Sequence, residues 1–162
     1  MIFYHGSFLE VQHPKISFSK KNLDFGTGFY LTTLQSQAER WARRKSFLKK
    51  TEQPAIVSIY EINFSDDMYI LHFNGYTEKW LEYVLHCRSG QQISENYDAI
   101  LGPVADDDVF KSINMYFKGI WDTERTLKEL RFYEETNQLC LRNKKKILDE
   151  SLIFINSYEM ER

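Results

Sequence analysis

The chain is poor in cysteine, in proline and in charge of one sign. Its 162 residues include only two Cys, three Pro and seven Gly. Cys87 and Cys140 cannot build a four-thiolate metal site, and a distant pair without a secretory signal reads as reduced thiols with a structural role. No run approaches the ~20 apolar residues of a membrane helix, and the N-terminus lacks the basic start and apolar stretch of a secretory signal, so a cytoplasmic location is expected. With 21 Lys and Arg against 23 Asp and Glu, the formal net charge is −2, which excludes wrapping nucleic acid through an overall basic field. His13, His72 and His86 show no ligand spacing, and no metal is expected.

What is present is an ordinary globular composition, 43% hydrophobic and 27% charged, in a length suited to one domain spanning residues 1–162. Aromatics are plentiful, with 12 Phe, 10 Tyr and 3 Trp, which suits strand-rich packing and flat-ligand sites alike. The pattern predicts strands at residues 2–7, 29–31, 55–62, 68–73, 98–101, 137–141 and 152–155. Helices are expected at 35–49, 77–87, 109–118 and 124–133. A brief extended piece is expected at 16–18 within the long connection 8–24, and an exposed basic turn at 142–146. The order of elements predicts an α+β fold.

The helix at 35–49 carries Ala38, Trp41, Ala42, the stem of Lys45 and Leu48 on one face, and Arg40, Arg43, Arg44, Lys49 and Lys50 on the other. The basic face reads as a solvated surface, with phosphate or nucleic-acid contact as the alternative. Asp106, Asp107 and Asp108 precede an apolar helix, where one can cap it and all suit its positive end.

The most informative stretch is Asp24-Phe25-Gly26-Thr27-Gly28-Phe29-Tyr30-Leu31-Thr32-Thr33. Two glycines one residue apart suit positive φ or a very close approach to another molecule. Alternation places Tyr30 on the face opposite Phe29 and Leu31, toward whatever the loop encloses. Thr32 or Thr33 is expected to cap the next helix. The N-terminal strand ends in His5-Gly6-Ser7.

These two segments together resemble the first two signatures of the diphtheria-toxin-like ADP-ribosyltransferases, the group that includes the poly-ADP-ribose polymerases. Their pattern is His-Gly-Ser/Thr followed by Phe-Gly-x-Gly-x-Tyr-Phe-Ala. Asn137-Gln138-Leu139-Cys140-Leu141 resembles the third signature, with Gln138 where a glutamate would stand. Over nearly its full length the chain also looks like an uncharacterised bacterial domain-of-unknown-function family assigned to that superfamily. The resemblance implies a split core of mixed and antiparallel sheet with flanking helices. It implies NAD as substrate, with His5, Tyr30 and Gln138 in the catalytic roles and His5, Gly6, Ser7, Phe25, Gly26, Gly28, Phe29 and Tyr30 around the dinucleotide. A bacterial toxin or phage-defence component, with an antitoxin partner and a protein, nucleic-acid or small-molecule acceptor, is the matching expectation.

The chemistry fits those residue types. Breaking the bond between nicotinamide and ribose passes through an oxocarbenium-like state. A tyrosine ring attracts the cationic nicotinamide, the backbone of Gly6 can pair with its carboxamide, and His5 offers a donor to a ribose hydroxyl. Glutamine can hold a hydroxyl but supplies no charge, which lowers turnover by about 10²-fold or more. The expected activity is therefore mono-ADP-ribosyl transfer, with NAD hydrolysis or a catalytically silent NAD- or ADP-ribose-binding module as alternatives. Glu134, Glu135 and Asp106 to Asp108 are candidates for the missing carboxylate.

Overall fold

In the structure, a computed structural model, residues 1–48, 53–91 and 93–161 are described. Strands β1 (Ile2–Ser7), β3 (Ile56–Ile62) and β7 (Leu152–Glu159) form an antiparallel sheet in the order β1-β3-β7. Strands β2 (Phe29–Leu31), β4 (Ile70–His72), β5 (Ala99–Pro103) and β6 (Asn137–Leu141) form a second sheet in the order β2-β6-β5-β4, mixed because β4 and β5 run parallel. Helix α2 (Glu78–Arg88) lies in the crossover between that parallel pair, as such a connection requires. Helices α1 (Gln35–Leu48), α3 (Asp107–Phe117) and α4 (Thr123–Leu130) complete an α+β architecture.

Both faces of the second sheet are packed, and alternation decides what goes where. Phe29, Leu31, Leu139, Leu141 and Ala99 join Phe3, Tyr60 and Ile62 of the first sheet in one apolar cluster. Cys140 and Ile100 point the other way, into a cluster with Phe25, Trp80, Leu81, Val84, Val109 and Ile113 from the helices and the loop. A fully buried residue of the size of Leu81 or Ile113 contributes about 1.5–3 kcal/mol, so the two clusters dominate stability. Helix α1 closes the outer face of the first sheet through Ala38 and Ala42 against Val57 and Tyr4.

The helix starts follow capping chemistry. Thr77 accepts from the Trp80 N–H, and Asp106 accepts from the N–H groups of Asp108 and Val109. Asp107 pairs with Arg44 and Asp108 with Lys111, so the acidic run is occupied with its own helix and with α1. Four expectations need correction or refinement. Residues 16–18 form a 3-10 turn rather than an extended piece. The basic segment expected as a turn at 142–146 runs into a longer π-helical turn, Lys144–Asp149, which keeps Lys145 exposed and buries Ile147 and Leu148. On α1, Trp41 is half-buried and Leu48 is exposed, leaving Gln37, Ala38 and Ala42 as the buried positions. Thr32 does not cap α1 from the adjoining position; its hydroxyl accepts from the Leu34 N–H and donates to Gln37. Lys49 and Lys50 lie outside the described residues. Among the described residues, no helix is long and apolar enough to cross a membrane.

Candidate functional site

The two sheets meet at a single bridge. Tyr4 and Thr32 exchange both backbone hydrogen bonds, at 2.8 and 3.0 Å, and beyond them β1 and β2 separate. In antiparallel strands, backbone groups of alternate residues point to the same edge. Gly6 therefore directs its N–H and C=O toward β2, as Tyr4 does, and Tyr30 directs its own toward β1, as Thr32 does. The result is a slot where two strands face each other without pairing.

Side chains satisfy the carbonyls that line this slot. His5 Nδ1 donates to the Tyr30 carbonyl at 2.7 Å, and Lys45 Nζ, from α1, donates to the Gly6 carbonyl at 2.7 Å. His5 stacks on Phe29, with ring centroids 4.4 Å apart. Burial, assisted by the nearby Lys45 charge, lowers the imidazole to about 3, so it is neutral at ordinary pH. A carbonyl can only accept, so Nδ1 carries the proton and Nε2 is an acceptor. This corrects the expectation that His5 donates to a ribose hydroxyl.

Tyr30 holds the glycine loop. Its hydroxyl donates to the Gly26 carbonyl at 2.6 Å and accepts from the Phe25 N–H at 3.0 Å. Burial raises its ionisation well above the ordinary range, so the phenol is not a base. Gly26 has φ of 75°, which glycine accommodates without strain. Gly28 is needed for a different reason: a Cβ there would stand 2.3 Å from Cys140 Sγ. The close neighbour is strand β6, not a ligand. Gly6 is similar, since an added Cβ would lie 1.9 Å from the Ala38 carbonyl of α1. Its missing side chain admits the helix, while its amide edge still faces the slot. Ser7 is buried at the end of β1, in register with Ile56. The rings of Phe25 and Phe29 are both buried, so backbone is what these residues offer a ligand.

Gln138 lies on the same face of the second sheet as Tyr30, two residues along β6 from Cys140, which is paired with Tyr30. It is buried, and its Nε2 donates to Asp24 Oδ2 at 2.7 Å. Asp24 also accepts from the Ala105 N–H at 2.8 Å and from Arg88 Nε at 2.7 Å, and Arg88 completes an ion pair with it at 2.5 Å. Because a carboxylate only accepts, the amide of Gln138 has its NH₂ toward Asp24 and its Oε1 turned away. His5, Tyr30 and Gln138 thus converge on one region but not on one surface. Tyr30 and Gln138 project from one face of β2 and β6, His5 packs on the opposite face, and the slot joins the two sides.

Residues 1–154 match the model of a family described as protein of unknown function (DUF3990). The chain belongs to that family. The matched span contains every residue of the slot and of the Asp24 network, so the site is part of the DUF3990 domain and not an appendage to it. No curated protein matches the chain.

Three residues of the DUF3990 site escaped the sequence. Asp24, which was not among the candidate carboxylates, is the one that Gln138 hydrogen-bonds. Arg88 neutralises it, and Lys45 reaches the slot with the head group of a side chain whose stem alone had been placed. The partners of Asp24 lie 114 and 64 residues away, so no local spacing could announce it.

Proposed function

We propose that this DUF3990 chain is an ADP-ribosyltransferase-like protein that binds NAD across the slot and transfers single ADP-ribose units to an acceptor. The observation that carries the reading is the edge of Gly6 facing Tyr30, which has no strand partner and whose carbonyl is held by the Lys45 ammonium. A planar carboxamide entering there meets an N–H and a C=O of one residue, as a strand would, and pairs with both. Nicotinamide presents such a group. Tyr30 stands on one side of the slot, its ring packed beneath the glycine loop, and the neutral His5 on the other, where Nε2 can accept from a ribose hydroxyl.

Gln138 would accept a second ribose hydroxyl at Oε1, its orientation fixed by Asp24. In the reaction the bond from C1′ of the ribose to the nicotinamide nitrogen breaks, nicotinamide leaves neutral, and an acceptor nucleophile bonds to C1′ and loses its proton. The Asp24 charge is compensated by Arg88, so turnover is slow and polymer synthesis is not expected. That compensation also favours the second reading, a module that binds NAD or ADP-ribose without cleaving it. A toxin or phage-defence role, with an antitoxin to restrain it, belongs to the first reading.

Incubation with labelled NAD and cell lysate, measuring both transferred label and free nicotinamide, separates the possibilities. Transfer that Tyr30→Ala and Gln138→Ala reduce supports the transferase, and nicotinamide release without transfer supports a glycohydrolase. Saturable NAD binding with neither product supports the binding module. Absence of binding and of products rejects all three.

A further inference from the structure

Lys45 is the least explained group at the slot. Its stem lies in solvent on α1, while its ammonium is tucked in against Gly6, one turn beyond Ala42 on the face that packs against β1. A neutral carbonyl is a poor partner for a full charge. Among the described residues neither Lys45 nor Lys20 forms an ion pair. His5, neutral and beside Lys45, supplies no negative charge either.

Lys20 arrives from the other side. It belongs to the long connection between β1 and β2, whose Ser19 hydroxyl accepts from the Gly28 N–H at 3.1 Å and so pins that segment over the glycine loop. The Lys20 charge is close enough to add to burial in lowering Lys45 to about 8. Two separate elements thus bring like charges to one rim at an electrostatic cost, and an anion bound between them would reverse that cost.

We propose that Lys45 and Lys20 form the anion subsite of the slot and take the diphosphate of the dinucleotide. This inference rests on the NAD reading above. Lys45 then has two positions. In the free protein it occupies the Gly6 carbonyl, and on binding it yields that carbonyl to the carboxamide and turns to the diphosphate.

The experiment is calorimetric titration of the wild-type chain, Lys45→Gln, Lys45→Arg and Lys20→Gln with three probes: ADP-ribose, inorganic pyrophosphate and nicotinamide. Thermal unfolding of each variant checks that it is folded, and Lys45→Arg keeps a folded, charged comparison. ADP-ribose and pyrophosphate should each weaken about tenfold or more in Lys45→Gln, the size of one charge-assisted contact, with partial recovery in Lys45→Arg. Their affinity in the wild type should fall with added salt, while nicotinamide affinity should hold or rise in Lys45→Gln. Anionic probes that bind the wild type and all variants equally, or that fail to bind the wild type, overturn the subsite. Nicotinamide that fails to bind while pyrophosphate binds in a Lys45-dependent way overturns the NAD reading and leaves the anion site standing.

Discussion

Gln138 and Asp24 are joined by a 2.7 Å hydrogen bond across 114 residues of chain, inside the protein and beneath the glycine loop. The contact makes glutamine the fitting residue at this position. A glutamate would set two carboxylates against each other, with only Arg88 to compensate both.

Gln138→Glu should therefore not restore a strong catalyst. At neutral pH it should be less stable than the wild type, and the deficit should shrink as pH falls, because the raised carboxyl takes up a proton that its unfolded counterpart binds only at lower pH. Adding Asp24→Asn should recover stability at neutral pH and raise nicotinamide release above that of the wild type. Denaturant unfolding at two pH values and a release assay on the double variant check both statements.

Asp24→Ala alone removes the acceptor for three donors and strands Arg88. Breaking a buried pair costs about 3–5 kcal/mol, and the loss here should fall near the lower end because the Arg88 side chain keeps 26% of its exposure. Equilibrium denaturation reads this directly, and a change below about 1 kcal/mol would show that the network is incidental.

Tyr30→Phe leaves the Phe25 N–H without its acceptor and the Gly26 carbonyl without its donor. The expected cost is about 1–2 kcal/mol. It should be local, with faster hydrogen exchange at the Phe25 amide and little change in the first sheet. Uniform exchange across the protein would mean that the hydroxyl does not hold the loop.

His5 gives a pH signature. Its imidazole is neutral in the fold, lowered to about 3, while the unfolded chain binds a proton near the ordinary value of 6.5. Its contribution is complete above about pH 6.5 and is lost as pH falls toward 3, at a limiting slope of about 1.4 kcal/mol per pH unit. The groups at the ring are the Phe29 side chain, the Tyr30 carbonyl and the Lys45 ammonium; burial and the Lys45 charge outweigh what the carbonyl and the stacked ring offer a cation. The stability advantage of the wild type over His5→Gln should accordingly narrow on acidification; parallel curves would contradict a neutral buried His5.

The strands carrying His5, Tyr30 and Gln138 were legible because their apolar residues alternate or are β-branched, and because Thr77, Asp106 and Asp122 mark helix starts by their own chemistry. The glycine loop was legible as special but not for the right reason at each position, since Gly28 and Gly6 answer to Cys140 and Ala38, whose proximity is tertiary. The faces of Tyr30 and His5 differ for the same reason. Alternation fixes parity within a strand, whereas the relation between β1 and β2 depends on where their pairing ends, at Tyr4 and Thr32. Long side chains were the hardest to place. The Lys45 stem follows the helix period, but its ammonium goes to a carbonyl 39 residues away.

The most direct measurement is a nitrogen-15 NMR titration of the protein with nicotinamide, following the amides of Gly6 and Tyr30. A slot that takes a carboxamide predicts a saturable downfield shift at Gly6, smaller changes at Tyr30 and Phe25, and competition by NAD for the same site. Nicotinamide or NAD that leaves the Gly6 amide unmoved while perturbing amides elsewhere, or that perturbs none, would contradict it.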